Sequence, residues 1–262
     1  MSRFQKLERH PGAPAEAPVA APSQPAEAEQ ESQYGSLLAQ ADDAYFGGDP
    51  RGALRLYSRA LQADSTQLAP WSGQVNALLA MKQYREGDVW SNRALEQFPE
   101  EPTLLSQRAR VVAYVGDTKR AMGISDYAMS RGGSPLAWLG RGEVLLLANN
   151  ANATFCFDKA LELAGPEDWR TPLEAGMVCF RLRKFSAAAD YLGKAAQRNL
   201  RHYHTWQLYA KALAELNFTE RAREAARHAK EIAPKEQRRT GELEEDVVSR
   251  TFWQRIAGFL RR

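Results

Sequence analysis

From Tyr34 onward, hydrophobic and polar positions recur with a fixed period. A small residue is followed four places later by a side chain of varying size and seven places later by Ala, as at Ala53, Tyr57 and Ala60. The set returns as Gly87, Ser91, Ala94; Ala121, Ser125, Ala128; Ala153, Phe157, Ala160; Ala188, Leu192, Ala195; and Ala222, Ala226, Ala229. The closing alanines step by 34, 34, 32, 35 and 34 residues. Offsets of four and seven lie on one face of a helix. A second helix precedes each of these, with a small or medium residue at Ala41, Val75, Ala109, Gly142, Gly176 and Ala210. Four places before it stands a large residue, Leu37, Trp71, Leu105, Trp138 or Trp206, with Pro172 the exception. Turn signals separate the two helices, from GGDP at 47–50 to LNFT at 216–219. Pro99 and Pro234 follow second helices, where a helix has to stop.

Small residues at fixed offsets let two antiparallel helices approach closely. One such pair cannot hide its apolar face, but a row of pairs can. On these residues and spacings, Tyr34 to Lys235 resembles the tetratricopeptide repeat family in six copies. The resemblance implies an all-α, right-handed α-solenoid that binds a protein or peptide client and does no catalysis. It also implies a concave groove lined by the first helix of each pair. Mapped onto this chain, that lining is Asp42, Tyr45, Phe46, Asn76, Leu79, Arg110, Tyr114, Glu143, Leu147, Met177, Phe180, Arg181, Gln207 and Lys211. Aromatic and aliphatic anchors among charges of both signs suit an extended peptide or an amphipathic helix. Packing between repeats is the competing role for Tyr45, Leu79 and Phe180. Chaperone-binding members of the family clamp a terminal carboxylate with Lys and Asn. The corresponding places here carry Leu38, Asp42, Gly73, Thr103 and Gln107, and only Asn76 is of the right type, in a different register. A clamp of that kind is not expected.

Two flanks depart from the repeat. Residues 1–33 hold five prolines and seven alanines and little that is apolar beyond Met1, Phe4, Leu7 and Val19. This stretch predicts an unstructured arm, because it cannot bury enough surface to offset its ordering entropy. At the other end, 237–262 read as a charged connector running into an amphipathic helix. On a helical wheel Val248, Phe252, Trp253, Ile256, Phe259 and Leu260 share one arc, and Arg250, Arg255, Arg261 and Arg262 the other. Burying the five largest of these apolar side chains is worth about 2 kcal/mol each. Three destinations compete: an anionic membrane surface, where the aromatics sit at the headgroup boundary; the protein's own groove or last repeat; and a partner protein. The first is the leading expectation.

Composition removes other classes. The chain is 44% hydrophobic and 26% charged, with a net charge of +3. No concentrated basic stripe calls for nucleic acid. No run approaches the roughly 18 apolar residues of a membrane span, and no secretory signal opens the chain, so the cytoplasm is expected. Cys156 and Cys179 are too few for a disulfide framework and read as small buried hydrophobes. His10, His202, His204 and His228 form no ligand spacing, and no phosphate-loop, dinucleotide or nucleophile-elbow motif occurs. No cofactor, metal or catalytic residue is therefore expected.

Overall fold

The computed structural model describes residues 24–234, with side chains from residue 31 onward. The flanking 1–23 and 235–262, including the whole amphipathic segment, lie outside the described residues. Twelve helices and no strand occur among the described residues. They are α1 (Gln24–Phe46), α2 (Pro50–Ala63), α3 (Leu68–Ala80), α4 (Tyr84–Gln97), α5 (Pro102–Val115), α6 (Thr118–Arg131), α7 (Pro135–Leu147), α8 (Ala153–Ala164), α9 (Arg170–Arg181), α10 (Phe185–Arg198), α11 (Tyr203–Glu215) and α12 (Thr219–Ile232). They pair as six hairpins, α1 with α2 through α11 with α12. One expectation needs correcting. α1 begins ten residues before Tyr34, in the stretch read as unstructured. Pro25 stands in its first turn, where its missing N–H is not needed, and the Ala- and Glu-rich run that follows is a strong helix former.

Each hairpin turn is built the same way. Gly48, Lys82, Gly116, Asn149, Arg183 and Asn217 all have φ between 54° and 105°. The next amide reaches back to the carbonyl five residues earlier: Asp49 to Ala44, Gln83 to Leu78, Asp117 to Val112, Asn150 to Leu145, Lys184 to Cys179 and Phe218 to Leu213, at 2.8 to 3.2 Å. This left-handed cap satisfies carbonyls that the helix end would leave bare. Helix starts are capped too. Asp49, Glu101 and Ser134 each accept an amide three residues on and precede a proline at the first helical position.

The alanines of the repeat are fully enclosed: Ala53, Ala60, Ala94, Ala121, Ala160, Ala188, Ala195, Ala222 and Ala229 expose essentially nothing. Between the helices of a pair, bulk is traded. A Cβ on Gly142 would lie 2.5 Å from the Phe157 ring, and one on Gly176 2.6 Å from Leu192. Where the first helix carries Val75 or Ala109 instead, the second carries only Ser91 or Ser125. Cys156 and Cys179 lie buried and unpaired in the largest apolar cluster, as small hydrophobes.

The row of pairs also meets itself. Phe46 at the end of α1 packs on Trp169, ring centroids 5.7 Å apart, just before α9. Trp169 in turn packs on His202, the N-cap of α11, at 4.3 Å. In the α1–α2 turn, Gly48 lies so close to the His204 imidazole that a Cβ would fall 2.6 Å from it. The first repeat thus touches the fifth and sixth across the inside of the solenoid.

The turns give a direct test. Gly116 has open space where a Cβ would go, so Gly116→Ala should lose about 1 kcal/mol from backbone conformation alone. Lys82→Gly should gain a similar amount. Denaturant midpoints at unchanged slope measure both.

Candidate binding site on the inner wall

First helices pack on first helices along the row, α1 on α3, α3 on α5, α5 on α7, α7 on α9 and α9 on α11. Each after α1 also packs between the second helices before and after it in sequence. Six such pairs in tandem, at steps near 34 residues, decide the fold. The described residues form a tetratricopeptide-type array.

Its inner wall is held by a buried charge network. Arg110 on α5 donates through Nε to Glu143 Oε2 on α7, and through Nη1 to Asn76 Oδ1 on α3 at 2.9 Å. Tyr114 OH and Arg181 Nη2 both donate to Glu143 Oε1, each at 2.6 Å. Arg181 Nε donates to Tyr114 OH at 3.0 Å. Tyr84 from α4 stacks flat on Tyr114 at 4.4 Å. Three helices, α5, α7 and α9, therefore meet at one carboxylate, and α3 and α4 join the network through Asn76 and Tyr84. Burial alone would raise the Glu143 carboxyl, but Arg110 and Arg181 outweigh it and hold the group at about 2. The fourth charge is Glu174 on α9, 3.6 Å from Arg110 Nη1 and 4% exposed. Here burial wins, helped by Glu143 and Asp168, and pushes the carboxyl up despite Arg110.

Beside the network lies a cavity of about 590 Å³ between α1, α3, α5 and α9. Its walls include Tyr45, Phe46 and Tyr57, and its polar lining includes Asp42, Arg170 and Glu174. Asp42 accepts from Tyr57 OH at 2.7 Å and lies 3.8 Å from Arg170. The Arg170 guanidinium sits over the Phe46 ring at 5.2 Å.

The residues placed on the groove from sequence fall into three groups. Asn76, Arg110, Tyr114, Glu143 and Arg181 come together in the network, with Arg110 and Glu143 fully enclosed. Asp42, Tyr45, Phe46 and Asn76 line the cavity. The others pack between repeats or stand apart. Leu79 is wholly buried with Val75 and Val111 under Tyr84, Trp90 and Tyr114, so it offers no surface to a client. Leu147, Met177 and Phe180 rest against core clusters. Gln207 donates to Tyr203 OH at 3.4 Å, and burial lowers the Lys211 ammonium. Sequence reasoning missed Glu174, Arg170 and Tyr84. Glu174 had a visible signal: it shares the register of Gly73, Gln107 and Gly140, and is the one acid among them. No helix among the described residues is long and apolar enough to cross a membrane, and no cluster of metal-ligating side chains occurs among them.

No family model and no curated protein matches the chain. Solved structures do. The chain is similar to a chain of the APC/C hetero-tetramer Cut9–Hcn1, with 16% identity and a TM-score of 0.49 over 86% of this chain and 47% of that one. It is also similar to yeast Tom70, with 17% identity and 0.48 over 80% and 44%. A third is YrrB, described as a tetratricopeptide protein with an unusual peptide-binding site, with 18% identity and 0.39 over 68% and 93%. The chain thus spans about half the length of the first two.

The network predicts a large effect from a small change. Glu143→Gln leaves two arginines facing each other without their shared counter-ion, which should cost about 3 kcal/mol or more. Chemical unfolding of the array reads this directly.

The seam predicts acid sensitivity. Burial lowers both His202 and His204 to about 4; Asp43 offsets this at His202 while Arg170 adds to it, and His202 and Lys211 add to it at His204. Both rings are neutral in the fold where a free histidine would be charged. The unfolded chain then binds more protons between roughly pH 6.5 and pH 4, so stability falls as pH drops through that window. His202→Asn with His204→Gln should flatten the fall in melting temperature, and an unchanged slope would assign it elsewhere.

Proposed function

We propose that this tetratricopeptide array is a non-catalytic scaffold. It holds a client peptide or helix against its inner wall, and residues 247–262 place the complex at an anionic membrane surface. The observation that carries the first half is the cavity between α1, α3, α5 and α9. It joins aromatic walls to a few charged groups, and that mixture characterises pockets that hold a ligand in one orientation. It opens on the first helices, beside the side chains that the charge network holds. YrrB, similar in fold, is described as having a peptide-binding site. The second half is supported by sequence alone: an apolar arc of six residues facing four arginines with no acid from Val247 to the end.

A second destination for the tail has one observation in its favour. Leu200 in the loop entering the last repeat and Phe218 in its turn are 59% and 49% exposed, and the end of a solenoid needs covering.

A photo-crosslinker at Leu68, on the cavity rim, should capture the client. One at Phe155 on α8, 62% exposed, should not. Without residues 247–262, client capture should persist while co-sedimentation with anionic vesicles is lost. Crosslinks from Phe155 instead of Leu68 would remove the groove, and undiminished vesicle binding would remove the tether. A fall in melting temperature on the same deletion would favour the covering role.

A further inference from the structure

Glu174 is the unsettled charge of the inner wall. It is 4% exposed, lines the cavity, and receives no hydrogen bond among the described residues. Its only ion pair is the 3.6 Å contact with Arg110, and Arg110 is already committed. Its Nε serves Glu143 and its Nη1 serves Asn76. A buried carboxylate normally gathers several short donors. Burial accordingly pushes the Glu174 carboxyl up.

The surroundings indicate what would satisfy it. The cavity is lined by three carboxylates, Asp42, Asp168 and Glu174, against one guanidinium, Arg170. Asp168 is used locally, capping the amides of Arg170 and Thr171. Asp42 is used by Tyr57 and Arg170. Only Glu174 faces the space without a close donor. Aromatic rings line the space, and the Arg170 guanidinium over Phe46 shows cation–ring chemistry already present once in the cavity. A flat guanidinium fits such a site better than an ammonium. It stacks on aromatic faces and meets a carboxylate with two parallel N–H groups.

We propose that the cavity is the recognition pocket for one arginine side chain of the client segment, with Glu174 as its ion partner and Tyr45, Phe46 and Tyr57 as its walls. This rests on the inner wall being the client site and names what that site selects. A neutral side chain in the pocket would leave Glu174 dry, with only its 3.6 Å contact to Arg110, so the preference comes as much from the penalty on wrong clients as from the attraction of the right one. An acidic segment is excluded by the same charge balance.

The test uses the full chain and two labelled peptides, acetyl-Gly-Leu-Arg-Leu-Gly-amide and its citrulline counterpart, which keeps the shape and loses the charge. Anisotropy titration should show the arginine peptide binding about tenfold more tightly. In Glu174→Gln that advantage should shrink below about twofold. Ala69→Trp, an exposed change on the cavity rim, should abolish binding without touching the buried network, and it stands in if Glu174→Gln does not fold. The tail's own arginines are a rival occupant. A full chain with Arg250, Arg255, Arg261 and Arg262 all changed to Gln tests them, and an arginine preference that appears only there supports the pocket and identifies the tail as its resident. Equal binding of the two peptides overturns the arginine pocket but leaves the client groove, which the Leu68 crosslink reads separately. Failure of both peptides to bind either the native chain or the quadruple variant overturns it as well.

Discussion

A hairpin of about 34 residues cannot bury its own apolar face, and everything in this array follows from that constraint. Each pair is stable only against its neighbours. The contact must therefore be close, which the enclosed alanines permit, and it must be filled, which the large residues ensure. The two demands are met jointly. Gly142 makes room for Phe157, and Gly176 for Leu192. Gly73 does the same between repeats, since a Cβ there would fall 2.3 Å from the Tyr57 ring. Bulk moves from helix to helix while the spacing stays constant.

Stacking at constant spacing winds the row, and the winding turns the inner wall into an interior. Phe46 reaches Trp169, and Gly48 reaches His204. First-helix positions that would face water in an open arc are then shut away, and their charges must be answered by one another. Arg110, Arg181 and Glu143 do this almost completely, with Asn76 and Tyr114 completing the hydrogen bonds. Such a network adds little net stability over an apolar filling, because desolvation offsets much of the attraction. Its value lies in fixing the relative positions of four repeats.

The repeat itself was legible because its rules are local. Spacings of four and seven, turns and prolines all act within one hairpin, so the six pairs and their enclosed alanines could be read from the chain. The members of the network were legible as a set too: Asn76, Arg110 and Glu143 hold one register, with Tyr114 and Arg181 a turn further on. Their state was not. Whether that register faces solvent or an interior depends on how tightly the row winds, and the Phe46–Trp169 contact, across more than a hundred residues, has no periodic signature. Leu79 was placed on the groove for the same reason and proves to be packing between repeats. The left-handed residues at Lys82 and Arg183 also escaped notice, since neither is a type that favours that conformation. The start of α1 was missed because proline density outweighed the helix propensity of the Ala- and Glu-rich run behind it.

The cavity and the seam are two consequences of the same closure, and this ties binding to shape. Tyr45 and Phe46 come from α1, Glu174 and Arg170 from α9, so whatever sits between them touches both ends of the contact that closes the array. A ligand there favours the closed arrangement in proportion to its affinity for it. The histidines at the same seam favour closure only while neutral, because burial disfavours the charged ring and each proton also adds positive charge beside Arg170 or Lys211. An occupant bearing a cation therefore works with the acidic side of the closure and acid works against it from the basic side. On the proposed reading the inner wall is a clasp rather than a passive groove, and the weakly paired Glu174 carboxylate selects what holds it shut.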